Sequence, residues 1–228
     1  MHSPVLDAEA SAALGALAAD LRKVFGPRLV SFVAYGTAEP ADDDGVHSLA
    51  LVDRVRFEDL VACVPLTGSW RARGLAVPLL LSREEFRRSL DVFPLEYGEI
   101  IARHIVVEGT DPFDNISVAE TDRRRACEWQ AKSHLIHLRE GFLETRGHPE
   151  RVAELIAASA ESFRSLLENI NRLDPDAPRE MGLSDTIVRD VLATRTGGVS
   201  TIAEPTALLA RYILASERVW QYVDGRRG

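Results

Sequence analysis

The chain has 228 residues, enough for one large domain or two modest ones with a proper core. A formal net charge of −8 excludes a general affinity for nucleic-acid backbones, which rests on Lys and Arg neutralising phosphates. No apolar run approaches the ~20 residues of a bilayer-spanning helix, and the N-terminal stretch carries Asp7, Glu9 and Asp20 without an early basic cluster, so neither a membrane span nor a signal peptide is expected. Cys63 and Cys127 form no metal knuckle and imply no disulfide framework. Both fall in helix-like segments as buried thiols, and a reduced cytoplasm is the expected compartment.

In chain order, residues 7–25 read as an amphipathic helix with Leu14, Leu17 and Leu21 on one face, stopped by Gly26-Pro27. Residues 28–35 and 47–52 are β-rich apolar runs. Residues 57–73 look helical, but Pro65 requires a break inside them. A third strand is expected over 77–81. Ser82 and Glu85 then have the spacing of a capping box that starts a short helix. Another short helix follows Pro94, its Phe93 and Tyr97 wedging it against the sheet, and residues 103–107 make a fourth strand closed by Gly109.

From about residue 118 the period changes. Cys127, Ala131, Leu135, Leu138 and Phe142 mark one face of a long helix, broken at Gly147-His148-Pro149. Val152, Ile156, Ser159, Phe163, Leu166 and Ile170 repeat the pattern in a second. A loop over 174–178 and helices over 184–194 and 205–223 complete the second half. The expected architecture is therefore α+β: residues 1–116 form a small mixed sheet with flanking helices, and residues 117–228 an antiparallel helical bundle.

The chemistry centres on residues 30–53. A strand running into Gly36-Thr37 is a plausible phosphate cradle, because Gly lets the backbone approach a ligand and the hydroxyl and nearby amides donate to phosphate oxygens. A metal-dependent phosphoryl or nucleotidyl transfer would then need carboxylates at alternate positions of the next strand, since divalent cations want oxygen ligands and alternate residues share a face. The acidic loop Asp42-Asp43-Asp44 has the charge to collect a cation but lacks the rigidity of a strand, and reads as a solvated loop. His47 reads as a satisfied edge residue. In the second half, His134 and His137 lie one turn apart, on what is expected to be a half-exposed helix face, and Arg123-Arg124-Arg125 reads as a solvated run. Trp70, Trp129 and Trp220 are each expected to anchor packing.

The pieces VSFVAYGTA, SLALVD, AVPLLLSREEFRRSLDVFPLEYGEI, VVEGTDPF and CEWQAKSHLIHLREGFL, in this order and spacing, resemble bacterial nucleotidyltransferase-domain proteins of the DNA polymerase beta superfamily. The resemblance implies a nucleotidyltransferase-like domain followed by a helical half like that of kanamycin-type enzymes. Gly36 and Thr37 match the family's Gly-Ser signature and would contact a nucleotide or phosphorylated ligand. The family's Asp-x-Asp falls on Val46 and Ser48, neither of which is an anionic metal ligand, and the strand that should carry a third acid has none. The ribonuclease motif of helical toxin partners, Arg and then His after four to six residues, is absent before His134, His137 and His148.

Three readings follow. The first is a pseudoenzyme that keeps a nucleotide or phosphate site at Gly36 and Thr37, with no metal and no cofactor. The second is an active, divergent nucleotidyltransferase that recruits Asp42 or Asp44 with Asp53 to hold Mg2+ and transfers a nucleoside monophosphate to an unknown acceptor. The third is a non-enzymatic interaction protein, homo-oligomeric through its helical half.

Overall fold

The computed structural model describes residues 6–36, 45–197 and 202–225. The chain divides into two compact units after Val118, two residues beyond the expected 116.

In the first unit, helix α1 (Ala8–Phe25) starts where Asp7 accepts the Ala10 amide at 2.7 Å. Gly26, in the left-handed region at φ 57°, stops it before a short 3-10 turn. Strands β1 (Leu29–Tyr35) and β2 (His47–Val52) pair antiparallel. The expected break at Pro65 is real: α2 (Phe57–Cys63) passes through a 3-10 turn into α3 (Thr67–Arg71). That crossover returns the chain as β3 (Leu79–Ser82), parallel to β2. Ser82 caps α4 (Arg83–Arg88): its hydroxyl accepts from the Glu85 amide at 3.1 Å, and the Glu85 carboxylate accepts from the Ser82 amide at 2.6 Å. Helix α5 (Pro94–Ala102) leads into β4 (His104–Gly109), antiparallel to β1. Among the described residues this is one mixed sheet in the order β3-β2-β1-β4.

Both faces of the sheet are covered, which is why its central strands read as continuous apolar runs. One face packs Phe32, Ala34, Ala50 and Val52 against Leu14, Leu17 and Leu21 of α1 and against Trp70. The other packs Val33, Leu49 and Leu51 against Phe86, Tyr97, Ile100 and Phe113. Of the expected aromatic wedge, Tyr97 is inserted; Phe93 contacts it at 5.5 Å between ring centroids but stays 47% exposed. Arg28 binds Asp59 bidentately, at 2.7 and 2.6 Å, tying the start of β1 to α2. That guanidinium holds the buried Asp59 carboxyl below the usual carboxylate range.

The second unit is built from α6 (Glu120–Thr145), α7 (Pro149–Leu173), α8 (Ala177–Glu180), α9 (Asp185–Gly197) and α10 (Pro205–Gly225). The short α8 occupies part of the expected 174–178 loop, because Pro178 sits in a first turn where its missing amide is harmless. α6 and α7 form a hairpin, and α10 packs against both. Where the three meet, the rings of His134, Phe163 and Tyr212 lie within 5.6 Å of one another between centroids, His134 stacked on Phe163 and Tyr212 edge-on to Phe163. No helix among the described residues is long and apolar enough to cross a membrane.

Candidate functional site

The Gly36 end of the sheet is set by the strand pairing. Tyr35, the last residue of β1, lies opposite His47 on one side and His104 on the other. Tyr35 and Val33 share a face, as do His47 and Leu49, so the three rings form a row across one sheet face. Tyr35 and His47 stack at 5.8 Å between centroids. Burial, and after it the nearby Tyr97, pushes the Tyr35 phenol up from its ordinary value, so it remains a neutral donor.

His104 is held on both ring nitrogens. Nδ1 lies 3.2 Å from the Ile101 carbonyl and Nε2 lies 3.3 Å from Asp111 Oδ2. Its ring edge meets Phe113 at 4.7 Å. Asp111 is itself fixed, its Oδ1 accepting the Phe113 amide at 2.9 Å. Gly36 continues from Tyr35 at φ 69°, and a Cβ there would meet nothing nearer than the His47 ring, at 3.9 Å. The arrangement places the His47 imidazole and the Tyr35 phenol beside the exposed Gly36, where they can donate to an anion; both nitrogens of His104 are already engaged.

The positions expected to carry the family's carboxylates lie elsewhere. Val46 makes a parallel bridge to Leu75: its amide donates to the Gly74 carbonyl at 2.8 Å, and its carbonyl accepts from Ala76 at 3.0 Å. Gly45 is required beside it, since a Cβ would stand 2.3 Å from the Gly74 oxygen. The Val46 side chain packs on the α1-side core. Ser48 points the same way, opposite Ala34 and in line with Ala50 and Val52, and is 1% exposed. Its hydroxyl has no hydrogen-bond partner among the described residues. The β2 residues facing the other layer are His47, Leu49 and Leu51, none acidic.

Asp53 follows the far end of β2, about 20 Å of strand from Gly36 at ~3.3 Å per residue. It lines a shallow recess of about 670 Å3 with Arg54, Ser82, Glu84, Glu85 and Arg88. There Glu85 is committed to capping α4, which lowers its pKa, and Glu84 pairs with Arg88 at 3.4 Å. Thr37, Asp42 and Asp44 lie outside the described residues. Asp53 is therefore not brought together with Gly36. Among the described residues no three His, Cys, Asp or Glu side chains converge as metal ligands.

Sequence reasoning did not single out Tyr35, His104 or Asp111. Each stands at a strand end or turn, and only non-local pairing places them together.

In the second unit, His134 is buried rather than half-exposed. Its Nδ1 lies 3.1 Å from Ser162 Oγ and its Nε2 2.9 Å from the Tyr212 hydroxyl, which also lies 3.3 Å from the Ser159 carbonyl. Burial, and secondarily His137, pushes the His134 imidazole down to about 4, so it is neutral near pH 7. His137 faces solvent at 74% side-chain exposure, so the two histidines share no ligand face. Trp70 is fully buried and Trp220 lies under the Lys132 ammonium at 3.5 Å, but Trp129 is 73% exposed and anchors no packing. Both cysteines are buried as expected; burial raises the Cys63 thiol and pushes Cys127 up to about 12.

No protein-family model matches the chain, and no curated protein matches it.

Proposed function

We propose that this chain is a nucleotidyltransferase-fold protein without metal-dependent transfer chemistry, whose first unit binds a nucleotide or another phosphorylated small molecule at the Gly36 end of its sheet. The observation that carries this reading is the register of β2. Val46 and Ser48 lie against the α1-side core, and Asp53 lies at the opposite end of the strand. A divalent ion at Gly36 thus has no acidic pair on β2 to hold it. The order of elements supports the fold assignment: helix, strand into Gly36, antiparallel return, helical crossover to a parallel strand, and a helical unit later in the sequence.

The ligand side of the proposal rests on the donors beside Gly36. His47 and His104 flank Tyr35; the His47 imidazole and the Tyr35 phenol can donate to phosphate oxygens or stack on a base, while His104, engaged by Ile101 and Asp111, walls the row on the other side. Fixed donors of this kind bind phosphate without supplying the charge neutralisation that phosphoryl transfer requires.

Isothermal titration with ATP and GTP, with Mg2+ and with EDTA, tests the proposal. The expected result is binding of at least one nucleotide with the same affinity in both buffers, weakened about tenfold in His47→Ala by loss of one charge-assisted or neutral hydrogen bond. Incubation with α-labelled nucleotide should yield no labelled product. Mg2+-dependent binding that disappears in a chain carrying both Asp42→Ala and Asp44→Ala would overturn the metal-free reading, and a labelled product would establish the active enzyme.

A further inference from the structure

α6 carries three large apolar side chains that its own bundle leaves in solvent: Trp129 at 73% exposure, Ile136 at 40% and Leu143 at 75%. They are seven residues apart each time, so they form a single stripe two heptads long on a helix of 26 residues. The side turned into the bundle is carried by Cys127, Ala131, His134, Leu135 and Leu138. An apolar residue at every seventh position of the outer face supplies one of the two seam positions by which a helix pairs with another, the second being taken by the polar Ser133 and Glu140.

The charges beside the stripe identify that other helix. Three residues after each of the first two apolar positions stand Lys132 and Arg139, a basic flank. Four residues after them stand Ser133 and Glu140, with Glu144 one turn further on, an acidic flank. These groups are accessible but already have neighbours within the bundle: Arg139, 49% exposed at the side chain, reaches Glu217 of α10, Glu140, 64% exposed, lies 3.4 Å from His137, and Lys132 lies over the Trp220 ring. When two copies of one helix pair about a two-fold axis parallel to their length, each basic flank faces the partner's acidic flank. When they pair antiparallel, like flanks face each other.

We propose that the exposed face of α6 is a self-association surface, on which two copies of the chain pair in parallel through Trp129, Ile136 and Leu143, with Arg139 of each copy opposite Glu140 of the other. The inference is independent of the site in the first unit. The stripe offers on the order of 400 Å2, about half of the ~800 Å2 per partner of a standard interface. The pairing is accordingly weak, with a dissociation constant roughly in the tens of micromolar, and it loosens as salt screens the flanking pairs.

Sedimentation velocity of the full chain over about a hundredfold range of concentration should show a reversible monomer–dimer shift. Leu143→Glu and Trp129→Glu, at side chains that are largely exposed, should keep the wild-type circular dichroism and remain monomeric. Orientation is read by cysteine cross-linking, because Cys63 and Cys127 are buried. Under mild oxidation Leu143→Cys alone should give a disulfide-linked dimer, since the parallel two-fold places this position beside its own copy. The proposal is overturned by a chain that stays monomeric at every concentration. It is equally overturned by cross-links that form only when Leu143→Cys is mixed with Trp129→Cys, the signature of antiparallel pairing. An unaffected dimer in both Glu variants also overturns it, by placing the interface elsewhere.

Discussion

Ser48 is the residue on which the proposal of a site without a metal ion turns. Its hydroxyl is buried in an apolar layer with nothing to bond among the described residues, and an orphaned buried polar group costs about 1–3 kcal/mol relative to a satisfied one. Ser48→Ala should therefore leave the melting temperature unchanged or raise it slightly. Ser48→Asp, which installs the residue type of the proteins the sequence resembles, should destabilise the first unit by roughly 3 kcal/mol or more, because a carboxylate would be buried beside Ala34, Ala50 and α1. Calorimetry of the two variants checks both; a neutral Ser48→Asp would mean that the position opens onto solvent. His134 makes the second prediction. Its folded pKa, about 4, lies below the ordinary 6.5, so its neutral form is the one the fold favours. That contribution is fully present above pH 6.5 and is lost as pH falls toward 4, a change of about 3 kcal/mol at most. In His134→Gln, urea unfolding should show a correspondingly flatter pH dependence across this window. The thiols make a third: with Cys63 and Cys127 buried, a thiol reagent at pH 8 should modify neither in the native chain and both in urea.

At the scale of elements, local rules carried well wherever a single residue decides the backbone. Leu14, Leu17 and Leu21 outline α1, Pro65 breaks the α2–α3 segment, and Ser82 with Glu85 starts α4. Replacing the Ser82 cap by Ala should cost about 1 kcal/mol, readable as a fall in the denaturation midpoint. Side-chain direction was less legible. β2 is apolar on both faces, so alternation cannot show which of Ser48 and Leu49 looks toward α1; only pairing with Ala34 and Val33 decides it. The same blindness hid the row of His47, Tyr35 and His104, which exists through two cross-strand registers spanning residues 35 to 104. On α6 the difficulty is reversed. Its inner face must meet both α7 and α10, so burial spreads to His134, and the one aromatic expected to anchor packing, Trp129, is left outside. The Arg28–Asp59 pair was equally invisible, since 31 residues separate its members; Asp59→Asn, which keeps shape but loses charge, should lower the melting temperature by roughly 5 °C.

For the molecule as a whole, the two proposals sit in different units and make separable demands. His47→Ala should weaken nucleotide binding while leaving self-association unchanged. Leu143→Glu should abolish self-association while leaving the nucleotide isotherm unchanged. Titration and sedimentation of both variants check this; any cross-effect would show that ligand occupancy and assembly are coupled, by the same free energy in each direction. The open sheet of the first unit has a consequence of its own. Its two borders are unlike: β4 carries His104 and Glu108, whereas β3 presents Leu79, preceded by Val77, both more than 40% exposed and uncharged. Charge is what keeps a bare sheet margin from recruiting further chains. Lateral growth of this sheet, whether in a partly unfolded chain or in an aggregate seeded by one, is therefore directional: it begins along β3, and a lysine at position 79 is the substitution that would close that border.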